Sequence, residues 1–397
     1  MTRVNRYSML AVFVLICFAL NSAAQSTASG TINGRVVDQQ GAVIPGAAIV
    51  ARNVDTGLQR STTSSSQGDY QISNLPPGVY EVGASSPNFA ASRVPRVVIQ
   101  VGDQRDVNFR LSIGSAQQTV EVTAEAPIVE STKTEISTVV SDQDVARLPA
   151  SSAFNIAGTS GVNGNMNDYA GMALSAPGVR YDTSGNSGDL IGPGAFNNRG
   201  NLYNVDGGTI SDQVLSTRDT QGASVDEVKE FQVITNNYNA EFGQAGGVIL
   251  NVITKSGTNT LHVDFHFFAR GRNLQASNFF YNQGLFSTPE VCPPSNIENG
   301  NLTNLDGCPR AHFFKHETGF TLGGPLVKDK TFWFASYEKL LAGSPQTLTP
   351  PSGNVTVNQP DDEVMWSTKL DHQLNSANHV SLAGGLPGAP DAAARAL

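Results

Sequence analysis

Residues 238–257 constrain the fold most. A bend carrying Gly243, Gly246 and Gly247 runs directly into an apolar, β-branched run from Val248 to Thr254. Glycine there permits positive φ and close backbone approach, and the unbroken run suits a strand buried on both faces. At Lys255, Ser256 and Gly257 the chain changes character. Leu261, Val263, Phe265 and Phe267 then alternate with His262, Asp264 and His266. Alternation with period two is the mark of a strand with one apolar and one polar face. Taken alone, the stretch is a strand, a turn and a strand of a second kind.

The rest of the chain agrees with a β-rich reading. Of 397 residues only 15% are charged, while 39 are Gly and 20 Pro, so turns and strands are expected over helices. More than half of the 19 Phe lie after Val263, which sets the C-terminal third apart. At the N-terminus, Arg3 and Arg6 precede an apolar core at residues 9–20, followed by Asn21, Ser22, Ala23 and Ala24. This is the pattern of a secretory signal cleaved after Ala24, and its twelve apolar residues fall short of the roughly 20 a spanning helix needs. Ile16 is too large for the position before a lipidated Cys17. With no other apolar segment of helical length, membrane residence would have to come from strands.

Losing the signal removes two arginines and no acid, taking the net charge from −9 to −11. An acidic exported chain has no basic patch to release counterions from phosphates, so nucleic acid is not an expected partner. Cys17 leaves with the signal. Cys292 and Cys308, with 15 residues between them in a Pro/Asn/Gly-rich loop, are expected to form a disulfide in an oxidising compartment. Closing that loop is worth about 3 kcal/mol on the chain-entropy view. Two thiols without a close Cys pair make a poor zinc site. His262 and His266, like His312 and His316, are four apart. That spacing aligns ligands on a helix but falls here in strand-like or loop sequence, so neither a metal site nor a cofactor is expected.

Residues 30–113 carry short β-branched runs separated by turn clusters every 8–12 residues or so, which predicts a β-sandwich. The words Gly34-Arg-Val-Val-Asp38, Ile44-Pro-Gly-Ala47, Gly68-Asp-Tyr70 and Leu75-Pro-Pro-Gly-Val-Tyr80 resemble the carboxypeptidase regulatory-like domain, a transthyretin-like sandwich. The resemblance implies a binding or spacer module. No zinc-protease ligand spacing occurs in the chain, so a peptidase, and with it any catalytic residue, is not expected.

A linker at 114–131 follows. Within it Gln118, Thr119, Val120, Glu121, Val122, Thr123 and Ala124 resemble a TonB box, a segment that adds as a strand to a partner's sheet edge. Seven such residues also suit an ordinary final strand, and it is their position between two modules that favours the box. Residues 132–257 resemble the plug domain of TonB-dependent outer-membrane receptors. The matching pieces are Leu148-Pro149, Leu174 to Val179, Arg199-Gly200, Asp206-Gly207, Val225 to Val233 and the opening bend with Gly246 and Gly247. Asp206-Gly207 by itself is a hairpin turn signal. The small, polar stretch at 150–168 departs from the family's usual leucine-rich helix.

From residue 258 onward, strand candidates are 261–270, 317–323, 331–338, 364–372 and 379–384, with short turns at 323–330 and 371–378 and a long loop at 271–315. The aromatic set from Thr331 to Glu338 suits an interfacial girdle. Only about five or six strands fit, whereas transporter barrels have 22, and the Ala/Pro-rich end from Gly384 alternates nothing. A fragment is therefore expected, inactive alone.

The expected fold class is mainly β: a transthyretin-like β-sandwich, an α/β plug domain, then the first strands of an incomplete antiparallel transmembrane β-barrel. The resemblance implies an Oar-like TonB-dependent receptor. Its partners would be TonB with its inner-membrane energising complex, outer-membrane lipid and an unidentified extracellular substrate. The sandwich and plug would lie on the periplasmic side. The alternative is a surface adhesin or scaffold whose sandwich binds protein or glycan.

Overall fold

The computed structural model describes residues 29–114, 119–121, 135–141, 144, 173–181 and most of 190–271 outside 212–223. It also describes short strands at 297–298 and 301–302, and 314–390 apart from 349–354 and 376–377. The expected signal, Gln118, Val122, Thr123, Ala124, Arg199, Cys292 and Cys308 lie outside the described residues.

The first nine strands are β1 (Gly30–Asp38), β2 (Ala48–Asn53), β3 (Gln59–Thr63), β4 (Asp69–Leu75), β5 (Gly78–Ser85), β6 (Ala91–Ile99), β7 (Gln104–Asp106), β8 (Phe109–Leu111) and β9 (Thr119–Glu121). They form two facing sheets. One has the order β4-β1-β7 with β8 also on β1, and the other β3-β2-β5-β6-β9. Alternation buries every second side chain along β2 and, in β4, Tyr70 and Ile72, with Leu75 buried after a register shift. These meet in a core of Ile32, Val36, Ile49, Tyr80, Val82, Ile99, Phe109 and Leu111. Tyr70 enters that core ring first, and its hydroxyl donates to Val107 O at 2.6 Å, so the one polar atom it buries is satisfied.

The next strands are β10 (Ile136–Ser141), β11 (Arg180–Tyr181), β12 (Leu190–Ile191), β13 (Leu202–Val205), β14 (Gly208–Thr209), β15 (Val228–Asn236) and β16 (Ile249–Thr254). Five of them form a mixed sheet in the order β10-β15-β16-β13-β14. All six residues of β16 are buried, as the unbroken apolar run requires of a central strand. One face packs Val140, Leu190, Tyr203, Phe231, Leu250 and Val252, and the other Leu202, Ile234, Phe242 and Ile249. Among the described residues, the helical part of the expected α/β plug is limited to 3-10 turns at 173–175 and Val225–Glu227 and to the single positions Asp144 and Phe242. The small side chains that make 150–168 depart from the family pattern lie outside those residues.

The last group is β17 (His262–Gly271), β18 (Ile297–Glu298), β19 (Asn301–Leu302), β20 (Phe314–Val327), β21 (Thr331–Leu348), β22 (Val355–Gln373) and β23 (His379–Pro390). β17, β20, β21, β22 and β23 form an open antiparallel sheet in that order. Its strands run longer than the alternation predicts. Residues 323–327 belong to β20 rather than to a turn, and the reversal narrows to Lys328–Lys330, where Asp329 has φ 59°. The Ala/Pro-rich end also departs from expectation, since β23 continues to Pro390 against β22. Backbone pairing with a long neighbour does not need side-chain alternation, and β23 is an edge, where Pro removes no shared donor.

Candidate functional site

The two faces of the C-terminal sheet differ in chemistry. Register aligns Phe265, Phe320, Tyr337 and Trp366 in one row across four strands. All four are exposed, with Phe320 and Tyr337 stacked at 5.6 Å between ring centroids. Val263, Leu370 and Leu382 share that outer face. The opposite face carries Glu317, Thr321, Ser336, Glu338 and Asp371, all buried although the sheet is open. What covers them is the module containing β15 and β16, so this face is a polar wall pressed on a globular plug. Apolar outward and polar inward is the membrane-barrel arrangement.

The Asp206-Gly207 pair forms the expected turn between β13 and β14, with φ of 49° and 84°. Two successive positive φ values define the hairpin turn that Asp-Gly favours. The turn also aims the Asp206 carboxylate. One oxygen accepts from Thr254 N at 3.0 Å, and the other from Thr254 Oγ1 at 2.5 Å and Lys369 Nζ at 3.0 Å. Lys369 also donates to Thr254 Oγ1 at 3.0 Å. A plug turn, the last plug strand and wall strand β22 are thereby joined at one carboxylate. Nearby, Ser256 donates to Asp371, Ser224 donates to Glu338, and Ser336 bonds Ser367 at 2.8 Å. Glu227 accepts from Ser336 at 3.5 Å, and its burial pushes its carboxyl pKa up.

The glycines of the opening bend meet Gly200. Gly200 O, at φ 90°, accepts the amides of Gly246 at 2.8 Å and Gly247 at 3.0 Å. Beside them Asn201 bridges two segments: it donates to Leu190 O at 2.7 Å and accepts from Val248 N at 2.9 Å. A Cβ on Gly247 would stand 2.3 Å from Asn201 Oδ1, which explains why glycine is required there. At Gly257, where the chain passes from plug to wall, a Cβ would lie 2.4 Å from Trp333 O. The structure thus brings Gly200, Gly246 and Gly247 together, and puts Asp206 and Gly207 at a separate plug-wall joint.

Of the seven box residues, Thr119, Val120 and Glu121 are described, as β9. They pair in parallel with Ala91, Ser92 and Arg93 of β6 and form the outermost strand of the second sandwich sheet. The sandwich in turn rests on β15, where Val101 N donates to Glu230 Oε1 and Lys229 Nζ to Pro77 O, both at 2.5 Å. Sequence reasoning missed Lys369, Asp371, Ser224, Glu227 and Glu338. The alternation of their strands signals which residues face inward, but nothing in it names their plug partners.

Comparison with known proteins follows the same division. Residues 31–112 match the carboxypeptidase regulatory-like domain, and residues 253–356 an outer membrane beta barrel domain. The chain is 26% identical over 321 residues to the TonB-dependent transporter Oar of Myxococcus xanthus, covering 80% of this chain and 27% of that protein. The chain thus spans about a quarter of the length of that curated relative. Among solved structures, the outer membrane transporter YddB from Escherichia coli aligns at TM-score 0.41 and 11% identity, over 60% of this chain and 31% of that one. The siderophore receptor PirA from Acinetobacter baumannii aligns at TM-score 0.39 and 17% identity, over 64% and 32%.

Proposed function

We propose a function for this chain on its similarity to the TonB-dependent transporter Oar and its matches to a carboxypeptidase regulatory-like domain and an outer membrane beta barrel domain. It is the receptor end of an energy-coupled importer. Residues 118–124 are the segment that TonB grips, residues 132–257 the plug that moves, and the strands after 258 the start of the barrel around it. TonB and its inner-membrane energising complex, outer-membrane lipid and an extracellular solute are the partners. The sandwich and plug face the periplasm. As in the transporter relative, the work is movement of a solute rather than catalysis.

The observation that carries this reading is the position of β9. It is a three-residue strand at the end of the second sandwich sheet, ahead of β10–β16 in the chain, and among the described residues its sheet neighbour is β6 alone. An edge strand offers unpaired backbone groups to another chain. The plug-wall joint at Asp206 and Lys369 supports the second half of the reading: it is polar, and polar joints separate at lower cost than apolar cores do.

The test is binding of the full chain in detergent to the periplasmic C-terminal domain of TonB, for wild type and for Val120→Pro and Val122→Pro. Proline deletes a ladder donor. The expected result is measurable affinity for wild type, lost in both variants. Absence of wild-type binding would sink the reading and favour the adhesin alternative.

A further inference from the structure

We propose that Asp226, His266, Glu317 and Glu338 form a binding site for a first-row divalent cation such as Zn2+ at the joint between plug and wall. Asp226 comes from the 3-10 turn before β15, and the other three come from β17, β20 and β21. One ligand atom from each lies within 4.8 Å of every other. At metal–ligand bonds of about 2.1 Å, the ligands of a tetrahedral site stand about 3.4 Å apart, so the four groups draw together on binding.

Three features separate this cluster from an ordinary group of acids. The first is an empty seat. Register places His266, Gly319 and Glu338 in one row across β17, β20 and β21. A Cβ on Gly319 would fall 2.3 Å from His266 Cε1 and 2.6 Å from Nε2. The glycine lets the imidazole lean across the row toward Glu338.

The second is unmet bonding. Glu338 is 3% exposed and its Oε1 has no hydrogen-bond partner, while its other oxygen is held by Ser224. The His266 side chain is 9% exposed. Its Nδ1 lies 2.8 Å from Asp226 Oδ2, and its Nε2 has no hydrogen-bond partner. Buried polar atoms without partners are rare and call for an explanation.

The third is charge. The three carboxylates gathered in a half-buried seam repel one another, and a cation among them relieves that repulsion. A mixed imidazole–carboxylate set suits Zn2+, Mn2+ or Fe2+, whereas Mg2+ and Ca2+ prefer oxygen alone. The bound ion would join the plug, through Asp226, to three wall strands. No box residue takes part, so the inference stands apart from the TonB reading.

The experiment strips the full chain in detergent with a chelator and measures Zn2+ binding by competition titration, with Co2+ absorption reporting the ligand geometry. The comparison is wild type against His266→Gln, Glu338→Gln and the exposed control His262→Gln. The site predicts one equivalent of Zn2+ per wild-type chain. Affinity should fall by more than about tenfold in the first two variants and stay unchanged in the control. Glu338→Gln keeps the side-chain shape and an acceptor for Ser224, which separates loss of a ligand from misfolding. Equal Zn2+ binding in wild type and Glu338→Gln, or none in wild type, would overturn the site. Displacement of Zn2+ by equimolar Mg2+ would overturn the assignment of metal class.

Discussion

Replacing Lys369 with Met tests whether the plug is held to the wall at Asp206. The Lys369 side chain is 11% exposed and that of Asp206 20%, so the pair sits between the surface and buried regimes. Exposed pairs contribute about 0–1 kcal/mol, and breaking a buried pair costs about 3–5 kcal/mol. Lys369→Met removes two charge-assisted hydrogen bonds, to Asp206 and Thr254, but leaves Asp206 its two bonds from Thr254. The expected cost is about 2–3 kcal/mol, which at about 1.4 kcal/mol per decade is a thirty- to hundredfold rise in local opening. Hydrogen exchange by mass spectrometry on the full chain in detergent reads this out. Peptides over β13, β14 and β16 should exchange that much faster, while β2 and β5 of the sandwich stay unchanged. Asp206→Asn combined with Lys369→Met should cost less than the two single changes added together. An acceleration under about threefold in the plug, or an equal one in the sandwich, would refute the joint.

The bend supplies a paired test. Gly247→Ala would displace Asn201 and its two buried bonds, costing about 2 kcal/mol or more of plug stability in chemical denaturation, whereas Gly246→Ala meets nothing within 4 Å and should be close to neutral. Gly207→Val forces a β-branched residue to φ 84° and should cost about 1–2 kcal/mol, seen as a lower melting midpoint. Burial raises the folded-state pKa of Glu227 above its unfolded value of 4.5, so the folded chain holds that proton more tightly. Stability from this group is full below 4.5 and is lost as pH rises through the raised value. Melting midpoints of wild type and Glu227→Gln should therefore diverge with rising pH, with the wild type falling further.

Local signals read correctly wherever one segment carried its own reason. The apolar run from Val248 predicts a doubly buried strand, and β16 is one. Asp206-Gly207 predicts a primed turn, and both residues have positive φ. The alternation from Leu261 predicts a two-faced strand, and the aromatic row from Phe265 to Trp366 is its outer face. Strand ends were less legible. Where an alternating strand stops depends on how far its neighbour extends, and Pro390 lies in β23 because β22 is long.

What the sequence determined by itself was the order of the modules, their β character and the parity of each wall strand, because turn chemistry and period-two patterning act over a few residues. What only tertiary structure decided was which inward side chain meets which plug residue. Lys369 and Asp206 are separated by 163 positions, and Glu338 reaches Ser224 across 114. His266 joined three acids from other elements only because Gly319 left its place in the row open. The physical reason is that a register shift of one residue turns every side chain to the other face, and register is set by pairing across the whole sheet, not by any one strand.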